Sequence, residues 1–112
     1  MSPGHHFSDL GQMPKAKVDI KVVGSGKKNN YASWTIRFNN NSPGLAFFLN
    51  PQVIKNGQEV LPSYWSDNYF SVPAGESITV TVSCPLTELG ISKIQLRLEG
   101  WNIETKTIEM VR

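Results

Sequence analysis

Apolar and polar residues alternate in short runs along most of the chain, and a period of two is the spacing of half-buried β-strands. Val18, Ile20 and Val22 alternate with Asp19 and Lys21, and Ala32, Trp34, Ile36 and Phe38 alternate with Ser33, Thr35, Arg37 and Asn39. Ile78, Val80, Val82 and Cys84 share one face opposite Ser77, Thr79, Thr81 and Ser83, and Ile94, Leu96 and Leu98 oppose Lys93, Gln95, Arg97 and Glu99. A last strand is expected from about Ile103 to Val111, with a bulge between Thr107 and Ile108 where the apolar phase slips. Leu45–Leu49 is apolar on both faces, the mark of a central or doubly covered strand.

The segments between these runs carry turn chemistry. Gly24 to Asn30 has the composition of a polar loop, and Asn39-Asn40-Asn41-Ser42-Pro43-Gly44 is a run of turn formers. Asn56-Gly57 supplies the two positive φ angles of a type I′ hairpin turn. Val72-Pro73-Ala74-Gly75 places Pro second and Gly fourth, the type I preference. Only Pro85–Ile91 offers room for a helical turn. Residues 1–14, with two Pro, two Gly and both histidines, have the composition of a linker or connector. The prediction is therefore an all-β chain: an immunoglobulin-like β-sandwich of about seven antiparallel strands over residues 15–112, without a disulfide.

Composition narrows the function classes. A length of 112 residues fits one domain and no second one, and 39% hydrophobic against 18% charged residues suits a packed core. A net charge of +2 gives little pull toward phosphates or anionic lipid, so neither nucleic acid nor membrane is an expected partner. Cys84 is the single cysteine and cannot close an intramolecular disulfide. Met1 to Asp9 lacks the basic start and apolar run of a signal peptide, so a periplasmic or secreted parent would carry its leader upstream.

Catalytic chemistry has few candidates. His5 and His6 are adjacent in the linker segment, where no fixed geometry holds a base against a nucleophile. Asp19, Glu59, Asp67, Glu76, Glu88, Glu99, Glu104 and Glu109 are scattered and mostly alternate with apolar neighbours. One Cys and a His pair make no closed metal-ligand set, and Gly24-Ser25-Gly26-Lys27-Lys28 lacks both the spacing and the following helix of a phosphate loop. No cofactor or metal is expected. Asn40-Asn41-Ser42 fits a glycosylation acceptor, although turn chemistry already accounts for it.

The aromatic residues say more. Tyr64, Trp65, Tyr69 and Phe70 bracket Ser66-Asp67-Asn68, whose short side chains suit a bend closed by side-chain to backbone bonds. Two readings stay open. Tyr64, Tyr69 and Phe70 are packing residues flanking a corner, or Trp65 and a Tyr form an exposed surface, for sugar stacking or for docking a neighbouring domain. The candidate contact residues are Tyr64, Trp65, Asp67, Asn68, Tyr69 and Trp101.

The segment from Leu61 to Glu76, with Tyr64-Trp65-Ser66-Asp67-Asn68-Tyr69-Phe70 and then Pro73-Ala74-Gly75-Glu76, resembles a Tyr-Ser-Asp-Asn-Tyr-Phe and Pro-Gly-Glu signature. That signature belongs to the C-terminal immunoglobulin-like domain of glycoside hydrolase family two enzymes of the β-mannosidase, exo-β-glucosaminidase and endo-β-mannosidase type. Met13-Pro14-Lys15-Ala16, Ser42-Pro43-Gly44-Leu45-Ala46-Phe47-Phe48-Leu49 and Glu99-Gly100-Trp101-Asn102 agree in order, so the likeness covers about Phe7 to Asn102. Two departures are Trp65, inserted between Tyr64 and Ser66, and Ala74, which separates Pro73 from Gly75.

The resemblance implies a non-catalytic accessory domain. Its partner would be a (β/α)₈ barrel of the same polypeptide, which alone takes about 250 residues and carries the two catalytic glutamates; none of those catalytic positions maps here. In this reading the domain braces the barrel, shapes its rim and is a monomer when isolated. The alternatives are a stand-alone carbohydrate-binding module and an immunoglobulin-like adhesion domain.

Overall fold

The fold comes from a computed structural model that describes residues 15–67 and 69–110. The predicted linker, Asn68 and the last two residues lie outside that range. Among the described residues nine strands and one helical turn follow in the order β1 (Val18–Lys28), β2 (Tyr31–Asn40), β3 (Ala46–Lys55), β4 (Gln58–Glu59), β5 (Tyr64–Trp65), β6 (Phe70–Val72), β7 (Ser77–Pro85), α1 (Leu86–Leu89), β8 (Ile94–Glu99) and β9 (Lys106–Met110). They form two antiparallel sheets, β1-β2-β7-β5 and β4-β3-β8-β9, with β6 paired to β3. The all-β immunoglobulin-like sandwich is thus the observed architecture, with two of its strands only two residues long.

The period-two faces meet in one core. Trp34, Ile36 and Phe38 of β2 and Val80, Val82 and Cys84 of β7 are buried together with Leu49 and Val53 of β3 and Ile94, Leu96 and Leu98 of β8. Phe38 and Phe70 pack with ring centroids 5.4 Å apart, linking the sheets. Each apolar residue this size removed from water contributes on the order of 1.5–3 kcal/mol. Two buried asparagines fix the loops at one end. Asn40 Nδ2 donates to the carbonyls of Gly44 and Val72, both at 2.8 Å, while its Oδ1 accepts from the Ser42 amide at 3.0 Å. Asn102 Nδ2 donates to Leu45 O at 2.7 Å and its Oδ1 accepts from Phe47 N at 2.8 Å. Asn40 is fully buried with its amide nitrogen committed, so turn chemistry and not glycan attachment accounts for Asn40-Asn41-Ser42.

Several local expectations are corrected. Gly24–Lys28 is not a loop: β1 continues to Lys28 against β2, and a two-residue turn at Asn29 (φ 53°) and Asn30 (φ 66°) closes the hairpin. Asparagine tolerates this left-handed region, and a register shift between Val22 and Gly24 absorbs the change of phase. Leu45–Leu49 is not doubly covered: Leu45 and Phe48 are exposed, and the β3–β6 register shifts between Ala46 and Leu49. The turn after β6 sits one residue later than expected, since Glu76 N donates to Pro73 O at 3.1 Å and Gly75 has φ 73°, the angle that the third position of a type II turn requires. No bulge interrupts β9, whose register with β8 runs unbroken from Leu98–Lys106 to Ile94–Met110; the phase slip arises because the buried Ile103 precedes the strand.

The Asn56-Gly57 hairpin forms as predicted, with φ 53° and 81°. Pro51 sits inside β3, opposite Leu98 of β8. On its other side, among the described residues, β3 is paired by β6, up to Leu49, and by β4, from Ile54, which leaves a stretch where a residue without an N–H breaks no ladder.

Candidate functional site

The β3 register shift determines what the surface offers. Phe48 has φ 51°, a conformation that costs a bulky residue about 1–3 kcal/mol. Backbone bonds hold it there: Phe47 N to Asn102 Oδ1 at 2.8 Å, Trp101 N to Phe47 O at 2.9 Å, and Phe48 N to Ser71 Oγ at 3.2 Å. The Phe48 ring is 50% exposed as a result. It lines an open trough with Asn50, Tyr69, Glu99, Gly100 and Trp101. Tyr69 and Trp101 are also exposed, at 69% and 55%.

The trough is shallow and open, and its relief comes from the rings. Phe48 and Trp101 stand 6.0 Å apart at an interplanar angle of 61°, and Phe47 backs Phe48 at 4.2 Å. Gly100 is needed where it is: a Cβ there would lie 2.8 Å from Leu49 Cδ2 and 2.9 Å from Ile103 Cγ1, inside the core that supports Trp101. Asn50 stands opposite Glu99 in the β3–β8 ladder. Behind Glu99 runs a polar chain. Arg97 Nε donates to Oε1 of Gln52 at 2.9 Å, and Gln52 Nε2 donates to Glu99 Oε1 at 2.9 Å, so a buried amide sets the direction of the carboxylate.

Of the residues singled out from the sequence, the structure brings Tyr69 and Trp101 into this trough. Tyr64 lies on the other sheet, exposed, with its ring 6.1 Å from that of Tyr31. Trp65 is half-buried, pairs with Val82 and packs against the core, so it is not an exposed stacking ring. Asp67 is exposed, beyond Ser66, which exchanges backbone and side-chain bonds of 2.9 Å with Thr81; Asn68 lies outside the described residues. The corner-packing reading holds for Phe70 alone, because Tyr64 and Tyr69 face solvent. Phe48 and Glu99 were missed as members of the site. The signal for Phe48 was the out-of-phase apolar residue in Leu45–Leu49; nothing local marks Glu99.

Chemistry elsewhere is sparse. Every carboxylate among the described residues is exposed except the half-buried Glu99, and no group of three His, Cys, Asp or Glu among them could hold a metal ion. A second hollow is lined by residues 15–19, Leu98 and residues 103–106, where Lys106 Nζ lies 3.7 Å from Asp19 Oδ1. The ammonium and carboxylate there are both well exposed, a pairing of little energetic weight. No helix among the described residues is long and apolar enough to cross a membrane.

Residues 2–103 match the model of the exo-β-D-glucosaminidase Ig-fold domain family. The chain is similar to the exo-β-D-glucosaminidase of Amycolatopsis orientalis, 32% identical over 105 residues that make 91% of this chain and 10% of that protein. It is 29% identical to the Streptomyces avermitilis enzyme of the same name over 96% of this chain and 12% of that one. Among solved structures, the exo-chitosanase CsxA of Amycolatopsis orientalis superimposes with a TM-score of 0.84 and 30% identity over 92% of this chain and 12% of that one. The FixG-related protein of Vibrio parahaemolyticus shares the fold alone, at a TM-score of 0.60 and 14% identity. The chain spans about a tenth of the length of the curated relatives it matches.

Proposed function

The chain belongs to the exo-β-D-glucosaminidase Ig-fold domain family, and from that premise we propose that it is a non-catalytic accessory domain of a β-glycosidase acting on β-linked glucosamine. Its role is to brace a catalytic barrel and to border the entrance of that barrel's active site. The observation that carries this reading is the match itself: it covers most of this chain but only about a tenth of each enzyme. The scattered carboxylates among the described residues, exposed apart from the half-buried Glu99, agree with it, because retaining hydrolysis needs two carboxyl groups held about 5–5.5 Å apart across a cleft. The trough with its strained Phe48 gives the domain a surface built for contact.

The test is hydrolysis of an aryl β-D-glucosaminide by this chain alone, together with sequencing of the coding region around it. No turnover, and a barrel with paired glutamates in the same reading frame, are the expected results. Turnover by the isolated chain overturns the proposal, and so does the absence of any barrel from the reading frame.

A further inference from the structure

We propose that the trough formed by Phe48, Tyr69 and Trp101 is a binding site for a protonated amino sugar. Three large rings, each at least half exposed, converge on one concavity, whereas exposed apolar residues scattered singly would need no explanation. The 61° angle between Phe48 and Trp101 makes a wedge. A wedge takes the C–H face of one pyranose ring against one wall and its edge against the other, so it suits a single residue better than a long flat stretch of polymer. The left-handed backbone of Phe48, held by Asn102 and Ser71, is what sets that wall in place.

Charge selects the sugar. Among the described residues Glu99 is the only carboxylate lining the trough, and the Gln52 amide, itself oriented by Arg97, fixes its direction. A carboxylate beside indole and phenyl rings attracts a cation, through charge and through the negative faces of the rings. An ammonium group therefore gains over a hydroxyl or an acetamide at the same position, and an anionic sugar is repelled. The choice of an amino sugar over other ammonium ligands rests on the accessory-domain reading; the cation selectivity and the wedge do not.

The experiment is a titration of the chain at low salt with fully deacetylated chitotetraose, following heat and the Trp101 indole N–H resonance. Its N-acetylated counterpart, mannotetraose and a lysine-rich peptide are titrated in parallel. The deacetylated sugar should bind at least about tenfold more tightly than the other three, and added salt should weaken it. Trp101→Ala should abolish binding, and Glu99→Gln should remove the preference over mannotetraose while leaving the denaturation midpoint unchanged. If Trp101→Ala unfolds the chain, Tyr69→Ala takes its place. No binding of any sugar at millimolar concentration, equal binding by the Trp101 variant, or preference for the peptide overturns the proposal. Those outcomes leave the accessory-domain reading standing, since that reading fails on glucosaminide turnover or on the missing barrel.

Discussion

The side-chain amide of Asn40, at the end of β2, donates to the main-chain carbonyl of Val72, at the end of β6, across 2.8 Å in a fully buried setting. One residue of the first sheet thereby closes the backbone of a strand attached to the second. The same nitrogen serves the exposed Gly44 carbonyl, which also accepts from the Ser42 hydroxyl at 3.3 Å, so truncation orphans the buried Val72 carbonyl and the Ser42 amide that Asn40 Oδ1 had accepted from. A buried unsatisfied group costs about 1–3 kcal/mol. Asn40→Ala should therefore lower unfolding free energy by about 2–4 kcal/mol, a loss that urea denaturation will detect as an earlier midpoint at unchanged slope. A change below about 0.5 kcal/mol would show that the pair contributes no net stability.

Phe48→Asn separates stability from recognition. Asparagine tolerates the left-handed angle that the phenyl side chain resists, and Phe48 is only half covered, so little burial is lost. The variant is expected to be as stable as the parent chain or up to about 1 kcal/mol more stable, while any ligand of the trough binds less well. Thermal unfolding measured beside a binding assay gives both numbers. A clear fall in stability would mean that the Phe47–Phe48 contact outweighs the backbone strain.

Cys84 makes a chemical prediction. It is fully buried at the end of β7, and burial raises its thiol pKa, offset in part by the Ser63 hydroxyl 3.5 Å from the sulfur. The native chain should resist a thiol reagent at mildly alkaline pH and react only as it unfolds. The sign of the linkage follows from the raised value. The unfolded chain gives up the thiol proton first, so this contribution to stability is complete below the ordinary thiol pKa and is lost as pH climbs through the folded one. Denaturation at a series of alkaline pH values, compared with Cys84→Ser, isolates the effect. Rapid modification of the folded protein would contradict it.

Much of this architecture is legible in the residues. The strict alternation around Trp34 and Val82 places both central strands of the first sheet, and Asn56-Gly57 can only be a tight hairpin. What escapes is set by contacts distant in sequence. Gly24–Lys28 has loop composition yet is held as strand by its partner β2, and Ile103 looks like part of β9 although it belongs to the bend that fills the core under Gly100. The site divides in the same way. Tyr69 and Trp101 stand out as large rings near turns, but Trp65 carries the same signal and is drawn inward by its pairing with Val82. Glu99 becomes part of a site only because Gln52, on another strand, turns its carboxylate.

The pairing of β2 with β7, from Asn39 with Ser77 to Tyr31 with Pro85, joins the two halves of the chain through the middle of a sheet. The hairpins at Asn29-Asn30 and Asn56-Gly57 are local and can close in about 1–10 μs, but this ladder must wait for the whole intervening segment to be gathered in. Folding is then gated by one long-range search, on the order of milliseconds to seconds for such topologies. Until that search ends, Trp34, Ile36, Val80 and Val82 are all open to water, so a nascent or heat-stressed chain is most at risk of aggregation along the strands that later form its interior.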